Sequence, residues 1–463
     1  MRPFCFRSYR PSFSGYGYGT DEFVKSFGRN GWRFTFQPDS LAGAKKCREE
    51  VVIHSGFPHF YRIEPGKINI ARVMLESDSL PRLWVDILNS MDEVWVASRF
   101  NVETFAAGGV DRRRIFVIPD MVDSRFMPPS RPRKRGRMFR FLSVFLDLSL
   151  RKGWDVMLYE FAANFSESKN VEWVVQCSPD SAKRLRGVIR EVGHRGHKTG
   201  NITVLGKVPT VPELARLYRS ADCYVLPTRG EGFGRPYLEA AACGVSVIAT
   251  GWGGQLDFLD NRNSRLLKYK LAGVPAPDAL DCYFLAGQRW AEPSHTDLGK
   301  ALRSMLERPA LAPVDCAPFR EKHLLRLIEG RLATVKKRKT VKREFAPQII
   351  VYDRKWKARQ PTPREFAKEL KAAGKVVAVV GTGRNAGWLS EFLVGHGFDI
   401  PFYIDREDGR FMGKKVYSPV SLPANARADV ALISSFPAAF AEWVGILKGR
   451  WNLKPVIFYS HNK

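Results

Sequence analysis

The sequence of 463 residues has no apolar run of about eighteen residues, the length a membrane-spanning helix needs. Its best candidate, 431–447, is broken by Pro437 and Glu442. The opening residues, MRPFCFRSYRPSF, lack the continuous apolar core of a secretion signal. Cysteine is scarce and unpatterned. Seven are spread over positions 5, 47, 177, 223, 243, 282 and 316, with no C-x-x-C pair. That spread argues against a disulfide framework or a zinc site and for a reducing compartment. The expected location is cytoplasmic.

Acidic residues are the other shortage. Asp and Glu number 47 against 74 Lys and Arg, leaving a formal net charge of +27. The excess favours anionic partners: sugar nucleotides, phospholipid head groups or nucleic acid. Much of it is local, in Arg131–Arg140 (RPRKRGRMFR) and Lys336–Arg343 (KKRKTVKR). These runs read either as solvated connectors or as peripheral contacts with an anionic membrane. No helix-turn-helix, zinc-finger or RNP-like pattern accompanies the charge, so nucleic acid is not the expected partner.

What is present is a globular composition, 44% hydrophobic and 26% charged, on a chain long enough for two or three domains. Short apolar runs alternate with helical stretches three times over. The first series includes 33–36, 51–54, 68–75, 93–96 and 115–118, with a helix expected over Thr20–Arg29. The second includes 138–145, 171–177, 202–205, 223–227 and 246–250. The third includes 349–352, 376–380, 402–404, 430–433 and 456–459. Strands alternating with helices predict parallel α/β sheets. Prolines and the two basic runs divide the chain into 1–130, 138–335, a linker at 336–346, and 347–463.

The most informative stretch is Thr228–Gly244, TRGEGFGRPYLEAAACG. It follows a buried-type strand and opens a helix, with Pro236 suited to the first helical turn and Gly244 to the stop. Gly232 and Gly234 let the backbone approach a ligand, and amides at the helix start can receive an anion. Glu231 and Glu239 flank this loop, so one carboxylate can bind sugar hydroxyls and the other a ribose, with phosphates between.

The unbroken Glu231-Gly-Phe-Gly-Arg-Pro-Tyr-Leu-Glu239 resembles the E-G-F-G-x-P-x-L-E signature of the retaining "group 1" glycosyltransferases. Ala242–Thr250 and Gly251–Gly254 continue the likeness, which extends over about residues 14 to 267. The resemblance implies a GT-B architecture, two Rossmann-like domains facing a cleft, here with a third small α/β Rossmann-like domain behind them. It implies transfer of a sugar from a nucleoside-diphosphate sugar to an acceptor hydroxyl. Glu231 would contact the donor sugar near its reacting carbon, Glu239 the ribose, and the amides of Gly232, Phe233 and Gly234 the sugar and diphosphate.

Other residues fit the same picture. Arg151 and Lys152 lie between a strand and a helix, placed to neutralise a departing diphosphate. The family's usual arginine about six residues earlier is replaced here by Leu146, and Arg151 would substitute. Lys207 lies where relatives use the backbone around the nucleobase. Ser14-Gly15-Tyr16-Gly17 reads as a glycine loop before the first helix, a phosphate site or a plain turn. Glu76 follows a strand whose end should face the cleft on the acceptor side, and Asp78 reads as a helix cap. No D-x-D pair occurs, so no metal and no further cofactor are expected. His194 and His197 have no third ligand nearby and read as a solvated loop.

In the third series, Gly381-Thr-Gly383-Arg-Asn-Ala386 follows a strand and Asp405 ends the next one. This is a dinucleotide-type fingerprint, and a nucleotide site there is one reading. The acceptor is expected to be a glycan, a lipid-linked glycan or a protein. Two alternatives stay open: another GT-B enzyme such as an epimerase or phosphorylase, and a non-catalytic polyanion- or membrane-surface-binding protein on the same scaffold.

Overall fold

A computed structural model describes residues 2–8, 15–38, 46–58, 61, 63–130, 138–275, 288–307 and 311–337. In the C-terminal part it describes 348–352, 358–359, 371–372, 377–380, 390, 393–394, 398–401, 403–404, 409–412, 414–417, 430–433 and 454–459.

The first sheet comprises β1 (Phe4–Ser8), β2 (Phe34–Pro38), β3 (Val51–Ser55), β4 (Ile68–Val73), β5 (Glu93–Val96) and β6 (Ile115–Val117). Their order is β2-β1-β3-β4-β5-β6, and every pairing is parallel. Helices α1 (Gly15–Arg29), α2 (Arg82–Ser90) and α3 (Arg99–Ala107) connect it. The sequence pattern did not expose β1. All five of its residues are buried, as befits a parallel strand covered on both faces.

The second sheet comprises β7 (Phe139–Val144), β8 (Val171–Gln176), β9 (Asn201–Leu205), β10 (Cys223–Leu226), β11 (Ser246–Thr250) and β12 (Ser264–Leu267). It too is entirely parallel, in the order β12-β11-β10-β7-β8-β9. Its helices are α4 (Trp154–Phe165), α5 (Pro179–His194), α6 (Val211–Arg219) and α7 (Arg235–Ala242). Strand order reverses between β7 and β10, which opens a crevice at their carboxyl ends. An antiparallel hairpin, β13 (Tyr269–Gly273) and β14 (Arg289–Pro293), follows, then α8 (His295–Glu307) and α9 (Glu321–Thr334).

Each sheet has its own core. Although α9 follows the second sheet in sequence, its Leu324, Leu325, Ile328 and Leu332 pack with Phe4, Phe6 and Phe27 of the first. Glu321 at its start accepts from Ser26 (2.6 Å) and Arg29 (2.9 Å). The chain therefore crosses back and ties the lobes together.

A third, eight-stranded sheet lies in the C-terminal part, with the strand Val377–Val380 flanked in parallel by Tyr403–Ile404 and Val430–Ile433. The α/β class with two parallel-sheet lobes and an added C-terminal sheet is thus as expected from the sequence. Gly381, Gly383 and Asp405 lie outside the described residues, as do most of the two basic runs.

Two expectations need correction. The glycines at 15 and 17 are not a loop, because α1 begins at Gly15 and runs through both. Cys5 and Cys47 are joined in a disulfide between β1 and the segment ahead of β3, buried beside Arg7. Spacing along the chain could not reveal a pair separated by 42 residues. Among the described residues no helix is long and apolar enough to cross a membrane.

Candidate functional site

The crevice between β7 and β10 is where the predicted residues gather. After β7, Ser149 caps a short turn, Leu150–Lys152, which ends at Gly153 in the left-handed region (φ 66°). A side chain on Gly153 would collide with the carbonyl oxygen of Pro227. Only glycine therefore lets the turn press against the end of β10, and this contact brings Arg151 and Lys152 to the Glu231 loop. The Oγ1 of Thr228 donates to the Arg151 carbonyl at 2.9 Å, and the Arg151 guanidinium donates to the Gly230 carbonyl at 2.8 Å.

Glu231 is 7% exposed. Lys152 Nζ donates to its Oε1 at 2.7 Å and Arg151 approaches the same oxygen at 3.4 Å. Burial alone would raise the carboxyl's pKa, but Lys152 and then Arg151 outweigh it and hold the group below the usual range. Gly253 and Gly254 buttress the loop, with the Gly254 amide donating to the Glu231 carbonyl at 2.7 Å.

The first lobe meets this loop directly. A Cβ on Gly230 would collide with the Glu76 carbonyl oxygen, and one on Gly232 would lie 2.9 Å from the Cβ of Met74. Ser98 Oγ donates to the Gly232 carbonyl at 2.6 Å, and Asn101 holds the Leu75 carbonyl at 2.8 Å. The Glu76 side chain, partly buried, feels Arg151, Glu231 and Lys152. Burial raises its pKa, with Glu231 adding and the cations offsetting only part. Asp78, read from the sequence as a cap, instead binds Arg289 of β14, its carboxylate accepting from the Arg289 backbone amide and from Nε at 2.7 Å each.

Helix α7 is preceded by Gly234, left-handed at φ 89°, and has Pro236 in its first turn. Phe233 points into the core between Phe258 and Phe319, which anchors the loop and leaves its backbone on the crevice side. Glu239 is 5% exposed. It accepts from Tyr218 (3.0 Å) and from Nε of Arg235 (3.3 Å). Burial raises its pKa, and Arg235 offsets this in part. Arg235 in turn lies 4.6 Å over the Tyr18 ring of α1. Burial, with the Glu239 charge adding, pushes the Tyr18 phenol up to about 12. The first turn of α1, through Gly15 and Gly17, thus leads to Tyr18 beside Arg235 of the second lobe.

Lys207 does not join this group. It is exposed and pairs with Glu213 at 2.6 Å. His194 and His197 are also exposed. Sequence reasoning missed Arg229, which makes paired bonds to Asp155 (2.8 and 2.8 Å) and Glu292 (2.7 and 2.8 Å) and braces the cation turn. It also missed Tyr18 and Arg235. The string Arg151-Lys-Gly-Trp-Asp155 carried one half of the Arg229 signal, but its partner at 292 is non-local.

Residues 141–272 match the family model described as Glycosyl transferases group 1. A D-inositol 3-phosphate glycosyltransferase of Paenarthrobacter aurescens (strain TC1) is 33% identical over 162 residues, covering 32% of this chain and 37% of that protein. The O-antigen chain mannosyltransferase B of Escherichia coli is 43% identical over 63 residues, 14% of this chain and 16% of that one. The match therefore spans little more than a third of the first of these curated relatives and about a sixth of the second. Among solved structures, a sucrose-phosphate synthase from Thermosynechococcus elongatus superposes with TM-score 0.52 at 16% identity, over 72% of this chain and 98% of its own. Anabaena HepE in complex with UDP and glucose gives 0.53 at 13%, over 72% and 100%. At such identities the likeness is one of fold.

Proposed function

We propose that the chain is a retaining glycosyltransferase that moves a sugar from a nucleoside-diphosphate donor to an acceptor hydroxyl. The observation that carries this reading is the Lys152–Glu231–Arg151 cluster at the strand-order reversal of the second sheet, closed over by the first lobe. Residues 1–130 form the acceptor side and 138–335 the donor side, the latter lending α9 to the former.

In this reading Glu231 binds the donor sugar near its anomeric carbon. Arg151 and Lys152 take up the charge of the leaving diphosphate, an electrostatic role that needs no metal. The amides of Gly232, Phe233 and Gly234 and the start of α7 cradle the phosphates. Glu239 accepts from the ribose hydroxyls, exchanging Arg235 or Tyr218 for them. Lys207 contributes through its backbone, and Gly15 and Gly17 let the start of α1 approach the phosphates. Both acidic side chains are nearly closed off, so the donor enters by separation of the lobes and is committed when they close. The acceptor is a glycan, a lipid-linked glycan or a protein, with membrane contact through the basic runs. A nucleotide site at Gly381, Gly383 and Asp405 is proposed only on the sequence fingerprint.

The test is a thermal-shift screen with nucleoside diphosphates, beginning with UDP because HepE was solved with it. A ligand at about a hundred times its dissociation constant adds about 2.7 kcal/mol. The shift should weaken in Glu239→Ala and persist in Glu231→Ala. A polyanion-binding protein would instead show steeply salt-dependent DNA or lipid binding that is indifferent to both substitutions.

A further inference from the structure

We propose that Arg229 is a positioning residue for the transfer: it sets the Arg151–Lys152 pair against Glu231 and, through Glu292, ties that placement to the grip of the first lobe. The inference rests on the transferase reading above and gives Arg229 no contact with the substrate.

The turn that carries the two cations is three residues long, so its place depends on what it packs against. Arg229 grips its main chain twice. The Arg229 backbone amide donates to the Arg151 carbonyl at 2.6 Å, and Nη1 donates to the Leu150 carbonyl. The same guanidinium takes both oxygens of Asp155, in the first turn of α4, at 2.8 Å each. The turn is therefore pinned along its length and just beyond its end. Asp155, the acid three residues after Lys152, is occupied by Arg229, and the Lys152 ammonium goes to Glu231.

The guanidinium is itself held. Arg229 is 6% exposed, and Glu292 of β14 accepts from its Nε and Nη2 at 2.7 and 2.8 Å. The Ala291 amide donates to the Arg229 carbonyl at 2.9 Å. At the start of the same strand the first lobe clasps Arg289. Its amide and Nε donate to the Asp78 carboxylate at 2.7 Å each, and its carbonyl accepts from the Asp78 amide at 3.0 Å. One strand thus runs from an acid of the first lobe to the residue that holds the cations. Paired arginine–carboxylate bonds fix orientation as well as distance, which the single ammonium of a lysine does not.

The experiment compares the wild type with Arg229→Lys, which keeps the buried charge and loses the fork, and repeats the substitution in a Lys152→Ala background. Turnover of UDP-glucose, or of whichever diphosphate sugar the nucleotide screen selects, is followed over pH beside the UDP thermal shift. A misplacement of about 1 Å costs on the order of 100-fold in rate, so kcat should fall about 10- to 100-fold with the thermal shift retained. Lys152 drawn away from Glu231 leaves that carboxyl less depressed, so the acid limb should move to higher pH. Residues that act through one another are not additive, so the loss should shrink in the Lys152→Ala background. An equal loss in both backgrounds would overturn the proposal. Asp78→Ala, which frees the far end of β14, should also lower kcat with the thermal shift retained, and wild-type kcat there would overturn the tie to the first lobe. Wild-type kcat with an unmoved acid limb in Arg229→Lys would overturn the positioning role while leaving the transferase reading in place. If the wild type itself transfers nothing, both fall together. Should Arg229→Lys fail to fold, Glu292→Ala removes one arm only, and an unchanged kcat and acid limb there would overturn the proposal equally.

Discussion

Gly230 and Glu76 touch backbone to backbone: any side chain on the glycine would strike the carbonyl oxygen of the glutamate. The loop that carries Glu231 and the loop that ends β4 are thus packed as closely as two chains can be, and this is the contact that closes the lobes on one another at the site.

Gly230→Ala should wedge the lobes apart. Its φ lies outside the left-handed region, so the substitution adds bulk without backbone strain. A displacement of about 1 Å costs on the order of 100-fold in rate. Steady-state kinetics should show that loss in kcat, while the UDP thermal shift stays close to wild type.

Lys152→Ala removes the cation that does more, of the two, to offset the burial of Glu231. The carboxyl's pKa should then rise. A carboxylate held low stays ionised, and keeps its contribution, until pH falls through that low value. Without Lys152 the loss comes at higher pH. A pH–rate profile should show the acid limb moved upward, with the plateau lowered about 100- to 1,000-fold.

The disulfide between Cys5 and Cys47 closes a separation of 42 residues. The chain-entropy relation gives about 4 kcal/mol for a loop of that length. Denaturant unfolding with and without reductant, or of Cys47→Ser, should reveal a loss of that order. No change would mean that the link is unimportant to the first lobe.

Thr210 and Glu213 form a reciprocal cap on α6. Lys207, then the amide and hydroxyl of Thr210, hold the Glu213 carboxyl at about 2. A depressed carboxyl stabilises fully above its unfolded value, about 4.3, and loses that contribution as pH falls toward the folded one. The stability difference between wild type and Glu213→Gln should therefore be constant from pH 7 to 5 and shrink steadily below that. A difference that grows on acidification would contradict the assignment.

Much of this was legible in the sequence because it is local. Thr228–Gly244 contains strand, loop, glycine punctuation, helix-start proline and both acids in one stretch, so its geometry followed from order alone. What escaped depends on distant partners. β1 has no readable alternation, and its buried Arg7 finds its partners far along the chain, Glu64, 57 residues on, and Cys47, 40 residues on. The start of α1 was misplaced because glycine disfavours helix. Here α1 continues through Gly19, which lies against the Arg235 and Asp120 side chains from elsewhere in the fold. The strand ahead of Glu76 was visible, but only the folded chain brings the backbone of that residue against Gly230.

The most direct measurement is turnover of a nucleoside-diphosphate sugar by Glu231→Ala, followed as release of the diphosphate beside its binding by thermal shift. The account expects turnover to vanish into background while nucleotide binding remains within a few fold of wild type. Full turnover in Glu231→Ala would contradict it.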